Sequence, residues 1–147
     1  MEKILLTDEN LNQLAQIIEA GEKCNTRWYR FYMNVVEFRG DTETDYGTTL
    51  RFRMSFLGQI ALIISNVSFE NKRHGTMNKV LEFLIQKCKE NNVPKIIVQC
   101  VLTEEMASFC LKHGFEPNTN TCIRRKGTHV LKEYLSGDYE LSLDNKN

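Results

Sequence analysis

Residues 60–67, IALIISNV, are almost continuously apolar. Side chains on a strand alternate between the two faces of a sheet, so a strand is apolar at nearly every position only when both faces are covered. This run is therefore predicted to be an interior strand of a layered α/β domain. The next segment is a helix of matching kind. Met77, Val80, Leu81, Leu84, Ile85 and Cys88 recur at helical spacing, with Asn78, Lys79, Glu82, Gln86, Lys87 and Lys89 on the other side. Asn91, Asn92 and Pro94 stop that helix, and KIIVQCV at 95–101 is a second β-rich run. Two strands with a helix between them make a parallel βαβ unit, because parallel strands need a crossover of about a dozen residues or more.

The flanks supply the other elements. A short apolar run at 4–6 precedes Thr7 or Asp8, either of which can cap a helix carrying Leu11, Leu14, Ile17 and Ile18 on one face up to Gly21. Aromatic and β-branched residues crowd 27–39 and predict one long strand, which a loop at 40–47 ends. Leu50, Phe52, Met54 and Phe56 alternate with polar residues, the pattern of a strand with one wet face. Thr103 caps a helix with Met106, Phe109, Cys110 and His113 on one side, and Glu104 and Glu105 complement its dipole. Gly114 ends it, and Phe115 folds back on the last turn. Closing strands are predicted at 122–125 and 130–135. The expected architecture is one α/β domain over 1–147, a central mixed, mainly antiparallel sheet flanked by helices.

Composition narrows the function classes. Nineteen Lys and Arg balance nineteen Asp and Glu, so no global field draws the chain to nucleic acid or an anionic membrane. The N-terminal apolar run is too short for a secretory signal or a membrane span, and a cytoplasmic location is expected. Cys24, Cys88, Cys100, Cys110 and Cys122 form no C-x-x-C pair, and His74, His113 and His129 are scattered, so free thiols and no metal are expected.

Chemistry concentrates between the buried run and its helix, in VSFENKRHGTM at 67–77. A helix start presents unpaired N–H groups and the positive end of a dipole, and Gly75 lets an oxyanion approach the backbone. Lys72 and Arg73 add cationic side chains suited to a pyrophosphate. An ordinary capped turn with solvated charges accounts for the same residues. Neither G-x-x-x-x-G-K-[ST] nor G-x-G-x-x-G is present, which removes the common nucleotide loops. The segment from Lys72 to Met77 does resemble the [RQ]-x-x-G-x-[GA] acyl-CoA motif of the GNAT superfamily of N-acyltransferases. Downstream, the strand at 96–101, the helix at 103–113 and Gly114-Phe115 resemble that family's second block.

The resemblance implies a GNAT-like fold and transfer of an acetyl group from acetyl-CoA, or another acyl-CoA, to the primary amine of a small molecule or peptide by direct attack. It implies cofactor contacts from Asn66, Val67, Lys72, Arg73, His74, Gly75, Thr76, Met77 and Thr103, with a backbone N–H near Val67 polarising the thioester carbonyl. Neither nucleic acid nor membrane is an expected partner, and a homodimer is compatible with it. Several departures bear on turnover, among them Thr103 where an asparagine is common. Lys72 replaces Arg or Gln, and Met77 replaces Gly or Ala and must turn inward. Cys110 stands where many members carry a proton-donating tyrosine, and leaves open a thiol donor, a plain core residue or an acyl carrier. Residues 60–69 hold no Asp, Glu or His to act as a base. A non-catalytic module that binds acyl-CoA or a protein partner is the alternative. Asp41, Glu43 and Asp45 are candidates to attract a cationic amine or simply a soluble loop tip, and Arg124-Arg125-Lys126 reads as a solvated turn.

Overall fold

The computed structural model describes residues 6–41, 48–56, 60–69, 75–128 and 131–143. The elements in chain order are helix α1 (Asp8–Glu22), strands β1 (Asn25–Phe31), β2 (Val35–Asp41), β3 (Thr49–Ser55) and β4 (Ala61–Ser68), helix α2 (Thr76–Glu90), strand β5 (Lys95–Val101), helix α3 (Glu104–Lys112), and strands β6 (Glu116–Pro117), β7 (Ile123–Lys126) and β8 (Glu133–Ser142). The sheet runs β1-β2-β3-β4-β5-β8-β6, with β7 attached to β8. β4 and β5 are parallel and joined by α2, and every other pair is antiparallel. This is the mixed, mainly antiparallel sheet flanked by helices that the sequence predicts.

Strand register explains the core. Val36, Phe52, Ile64, Val98 and Tyr139 are successive cross-strand partners, so five strands contribute to one buried row. Met54, Leu62, Ile96 and Leu141 form a parallel row beside it. Leu11, Leu14 and Ile18 of α1 and Val80, Leu81 and Leu84 of α2 join the same cluster, each side chain removed from water contributing about 1.5–3 kcal/mol. The caps hold as the sequence suggests. Thr7 and Asn10 form a reciprocal capping box on α1, and Thr103 accepts from the Met106 N–H at 3.2 Å. At the end of α3, Phe115 N–H reaches Cys110 O at 2.9 Å and Gly114 N–H reaches Leu111 O at 3.2 Å, which is a Schellman cap.

Four expectations need correction. The strand predicted over 27–39 is two strands, β1 and β2, turned by a 3-10 turn at Tyr32–Asn34. No glycine or proline announces that turn, because Asn34 takes a left-handed φ of 59°, which asparagine tolerates. Leu6 is a buried bend rather than part of a strand, and residues 1–5 lie outside the described residues. The Arg124–Lys126 run is strand β7, with Arg125 Nε donating to Ser136 Oγ at 2.8 Å. The last strand does not end at 135: β8 runs from Glu133 to Ser142.

α1 and α2 meet at close range. A Cβ on Gly21 would lie 2.0 Å from Thr76 Oγ1 and 2.9 Å from Thr76 Cβ, so glycine is required for this helix contact. Beside it the buried Glu22 carboxylate accepts from Thr48 Oγ1 at 3.1 Å and Thr76 Oγ1 at 3.3 Å. Gly21→Ala is predicted to lower the unfolding free energy by about 1–2 kcal/mol, overpacking outweighing the gain in helix propensity. Urea denaturation checks it, and unchanged or higher stability would count against this contact. Cys88 and Cys110 are core residues whose thiols burial pushes up to about 12. An unfolded thiol titrates near about 8.5. The native state therefore retains protons that the unfolded chain releases, and their contribution is full below that value and lost as pH rises toward 12. The urea midpoint should fall across this alkaline window, and fall less steeply in the Cys88→Ala/Cys110→Ala variant.

Candidate functional site

β4 and β5 begin side by side and then part. Only Leu62↔Ile96, Ile63↔Ile97 and Ile64↔Val98 pair, although each strand continues for at least three more residues. Two bulges mark the parting. On β4, Ile64 pairs with Phe52 and Asn66 with Arg51, so Ser65 is an extra residue. On β5, Val98 pairs with Tyr139 and Val101 with Gly137, so Gln99 and Cys100 oppose Asp138 alone. Cys100 takes a left-handed φ of 56°, and its N–H donates to Asp138 Oδ1 at 3.0 Å. A bulge bends and twists its strand, and bends on two neighbouring strands at the same level open a slot. The slot has a volume of about 220 Å³ and is walled by Ser65, Asn66 and Val67 on one side and Gln99, Cys100 and Leu102 on the other. Alternate N–H and C=O groups along this stretch of β4 face the slot instead of a ladder partner. Tyr134 OH donates to Leu102 O at 3.1 Å, tying β8 to the rim.

A wider cleft of about 320 Å³ adjoins the slot. The end of β4 (Val67, Ser68, Phe69), the start of α2 (Thr76, Met77) and the first two turns of α3 (Thr103, Glu105, Met106, Phe109) form its walls. Val67, Thr103 and Met106 line both spaces and make them continuous. At the α2 end, Gly75 is the N-cap with φ 70° and ψ 18°, and as a glycine it supplies no side-chain cap of its own. Among the described residues, a Cβ on Gly75 would meet nothing closer than Asn78 Nδ2 at 4.0 Å. Thr76 sends its hydroxyl away, to Glu22. Its backbone N–H remains in the first turn, where the positive end of the dipole lies. Met77 packs partly against the core, as anticipated, but also forms cleft wall.

At the α3 end, the Thr103 hydroxyl oxygen is occupied as a cap while its proton stays available to donate. Glu104 is a fastener. Its buried carboxylate accepts from Thr128 N–H at 3.0 Å, Thr128 Oγ1 at 2.8 Å and Leu131 N–H at 3.1 Å, holding the connection from β7 to β8 against α3. Glu105, which the sequence suggests only as a dipole complement, faces the cleft.

The structure thus brings together Asn66, Val67, Thr76, Met77 and Thr103 around one continuous space, with Gly75 at its edge. Lys72, Arg73 and His74 lie outside the described residues, as do Glu43 and Asp45. Cys110 is fully buried and is not among the lining residues; burial holds its thiol protonated far above neutral pH. Sequence reasoning missed Ser65, Cys100 and Glu105. Each sits at a bulge or helix start whose orientation local patterning does not report. Among the described residues, no group of three His, Cys, Asp or Glu is placed to hold a metal ion, and no helix is long and apolar enough to cross a membrane.

No family model and no curated protein matches the sequence. Solved structures do match the fold. A probable acetyltransferase from Staphylococcus epidermidis superposes with a TM-score of 0.51 at 13% identity, covering 93% of this chain and 95% of its own. A putative GNAT-family acetyltransferase from Desulfovibrio desulfuricans gives 0.51 at 9% identity over 95% and 85%. An IAA acetyltransferase from Bacillus cereus gives 0.50 at 11% identity over 95% and 89%. These superpositions show that the chain has the fold of GNAT-family acetyltransferases.

Proposed function

We propose that the cleft and slot bind an acyl-CoA, acetyl-CoA being the simplest, and that the protein transfers the acyl group to a primary amine of a small molecule or peptide. The observation that carries this reading is the continuity of a glycine-led helix start with a slot between two parted parallel strands. The first suits phosphate oxygens, which bind to helix N-termini through backbone N–H groups. The second suits a thin, amide-bearing arm that hydrogen-bonds to exposed strand edges. Met77, Met106 and Phe109 give the cleft an apolar wall, and Thr103 adds a hydroxyl donor. Lys72, Arg73 and His74 are assigned to the phosphates on sequence alone.

The ligand supplies an acyl group on a thioester. In direct transfer the amine nitrogen forms a bond to the carbonyl carbon, the carbon–sulfur bond breaks, the amine gives up a proton and the thiolate gains one. A backbone N–H near Val67 is assigned to the carbonyl oxygen, where a donor fixed before charge develops stabilises the transition state. Amines with pKa values of about 10 are mostly protonated at neutral pH, so the attacking nitrogen must lose a proton to water or to a side chain at the site. We assign Cys110 to packing, because a thiol held at about 12 in the core is a poor source of protons for a sulfur in the cleft. The same observation favours the second reading, a module that binds acyl-CoA without turnover.

A thermal-shift titration with acetyl-CoA tests the site, since ligand bound only by the native state raises the melting temperature by mass action. No rise at millimolar acetyl-CoA would sink the proposal. Gly75→Glu is predicted to abolish the shift by adding charge and bulk at the helix start, whereas Gly75→Asn, which tolerates a left-handed φ, should keep it. Equal shifts in both variants would move the phosphate site elsewhere. Cys110→Ala should cost about 2 kcal/mol of stability or less and leave kcat within about twofold of the parent. A loss of kcat of about a hundredfold would restore Cys110 to the chemistry.

A further inference from the structure

We infer that the amine acceptor also carries an anionic group, a carboxylate or a phosphate, received by Arg51 and Arg53 on the open face of the sheet beside the slot. The inference rests on the acyl-transfer reading and names the substrate class for it. Directly paired residues of an antiparallel sheet project from the same face. One row across β1 to β4 is Tyr29, Glu37, Arg51 and Asn66. The rows on either side are Arg27, Arg39, Thr49 and Ser68, and Phe31, Val35, Arg53 and Ile63. Asn66 walls the slot and Ser68 walls the cleft, so two of these rows end on β4 residues that line the site.

Its charge is one-sided. Among the described side chains of these rows, Arg39, Arg51 and Arg53 share the face with the carboxylate of Glu37. Glu37 accepts from Arg39 and from Arg51, the latter at 3.3 Å, and is itself buried. Each guanidinium has five donors, more than a share of one carboxylate uses. The Arg51 side chain stays 44% exposed and that of Arg39 54%. Arg39 lies 4.9 Å over the Tyr29 ring and Arg51 5.6 Å over the Phe31 ring, contacts that hold the planar forks in place before a ligand arrives. Pre-set forks favour bidentate carboxylate or phosphate and oppose a polycationic acceptor. The charge is too local for a nucleic acid backbone, which needs cations along several phosphates. An acceptor that places its amine in the slot and its anion on Arg51 spans about one strand spacing.

Matched ligand pairs test this: phosphoethanolamine with ethanolamine, and β-alanine with β-alaninamide, titrated calorimetrically into the CoA-saturated protein and assayed as acceptors. The anionic member of at least one pair should bind about tenfold tighter or more, and which pair responds separates phosphate from carboxylate. Arg51→Gln should erase most of the preference, raising KM more than it lowers kcat, with CoA affinity unchanged; Arg51→Lys should recover part of it. Arg53→Gln is the second variant should Arg51→Gln not fold. Equal binding within both pairs, preference for ethanolamine or spermidine, or a preference untouched by both Gln variants would overturn the inference. So would tighter binding of oligo(dT) than of either anion, or self-association that protects Tyr29 and Phe31. An anionic preference in a protein that fails to bind CoA would refute the acyl-transfer reading while leaving the anion site standing.

Discussion

The short parallel contact between β4 and β5 is the constraint on which the rest depends. Three residue pairs join them, and beyond these the strands diverge at Ser65 on one and Cys100 on the other. A parallel pair buried in a sheet would ordinarily complete its ladder, because unpaired backbone groups in the interior cost free energy. Here the neighbours absorb the bends. β3 stays paired with β4 on both sides of Ser65, and β8 stays paired with β5 on both sides of Gln99 and Cys100. Asp138 satisfies the displaced Cys100 N–H from its side chain. The slot is thus flanked by a continuous ladder on each outer side.

Helix placement obeys the same geometry. α2 crosses from the end of β4 to the start of β5 and therefore begins at the divergent end, and α3 comes after β5 and begins there too. Both helices direct their N-terminal ends at one place. Two buried carboxylates fix them from behind. Glu22 holds Thr76 at the start of α2, and Glu104 holds the connection between β7 and β8 against the start of α3. A buried acceptor kept by several donors is stabilising, and the same acceptor deprived of one is costly by about 1–3 kcal/mol.

How much of this the sequence discloses varies with the kind of signal. α2 and β4 are plain, because the 3.6-residue period and the unbroken apolar run are strong local patterns. The caps of α1 and α3 are equally plain, since Thr7, Thr103 and Gly114 are residues whose local chemistry matches their position. The division of 27–39 into two strands is hidden, because Asn34 turns the chain without glycine or proline and the aromatics on both sides all favour strands. β8 is hidden for the opposite reason. Gly137 and Asp138 look like a turn in YLSGDYELS, yet they form the partner side of the β5 bulge. The candidate site divides the same way. Gly75 and Thr103 announce themselves by residue type, whereas Ser65, Cys100 and the arginine face on β1 to β3 emerge only once register is known.

Glu22 links two parts of the molecule that the chain keeps apart. Its carboxylate joins Thr48, the residue before β3, to Thr76, the first residue of α2. These are 28 residues apart in sequence, yet both hydroxyls donate to one buried carboxylate. Movement at the entrance to β3 and movement at the helix start are therefore mechanically geared, and whatever stiffens one end lowers the entropic cost of stiffening the other.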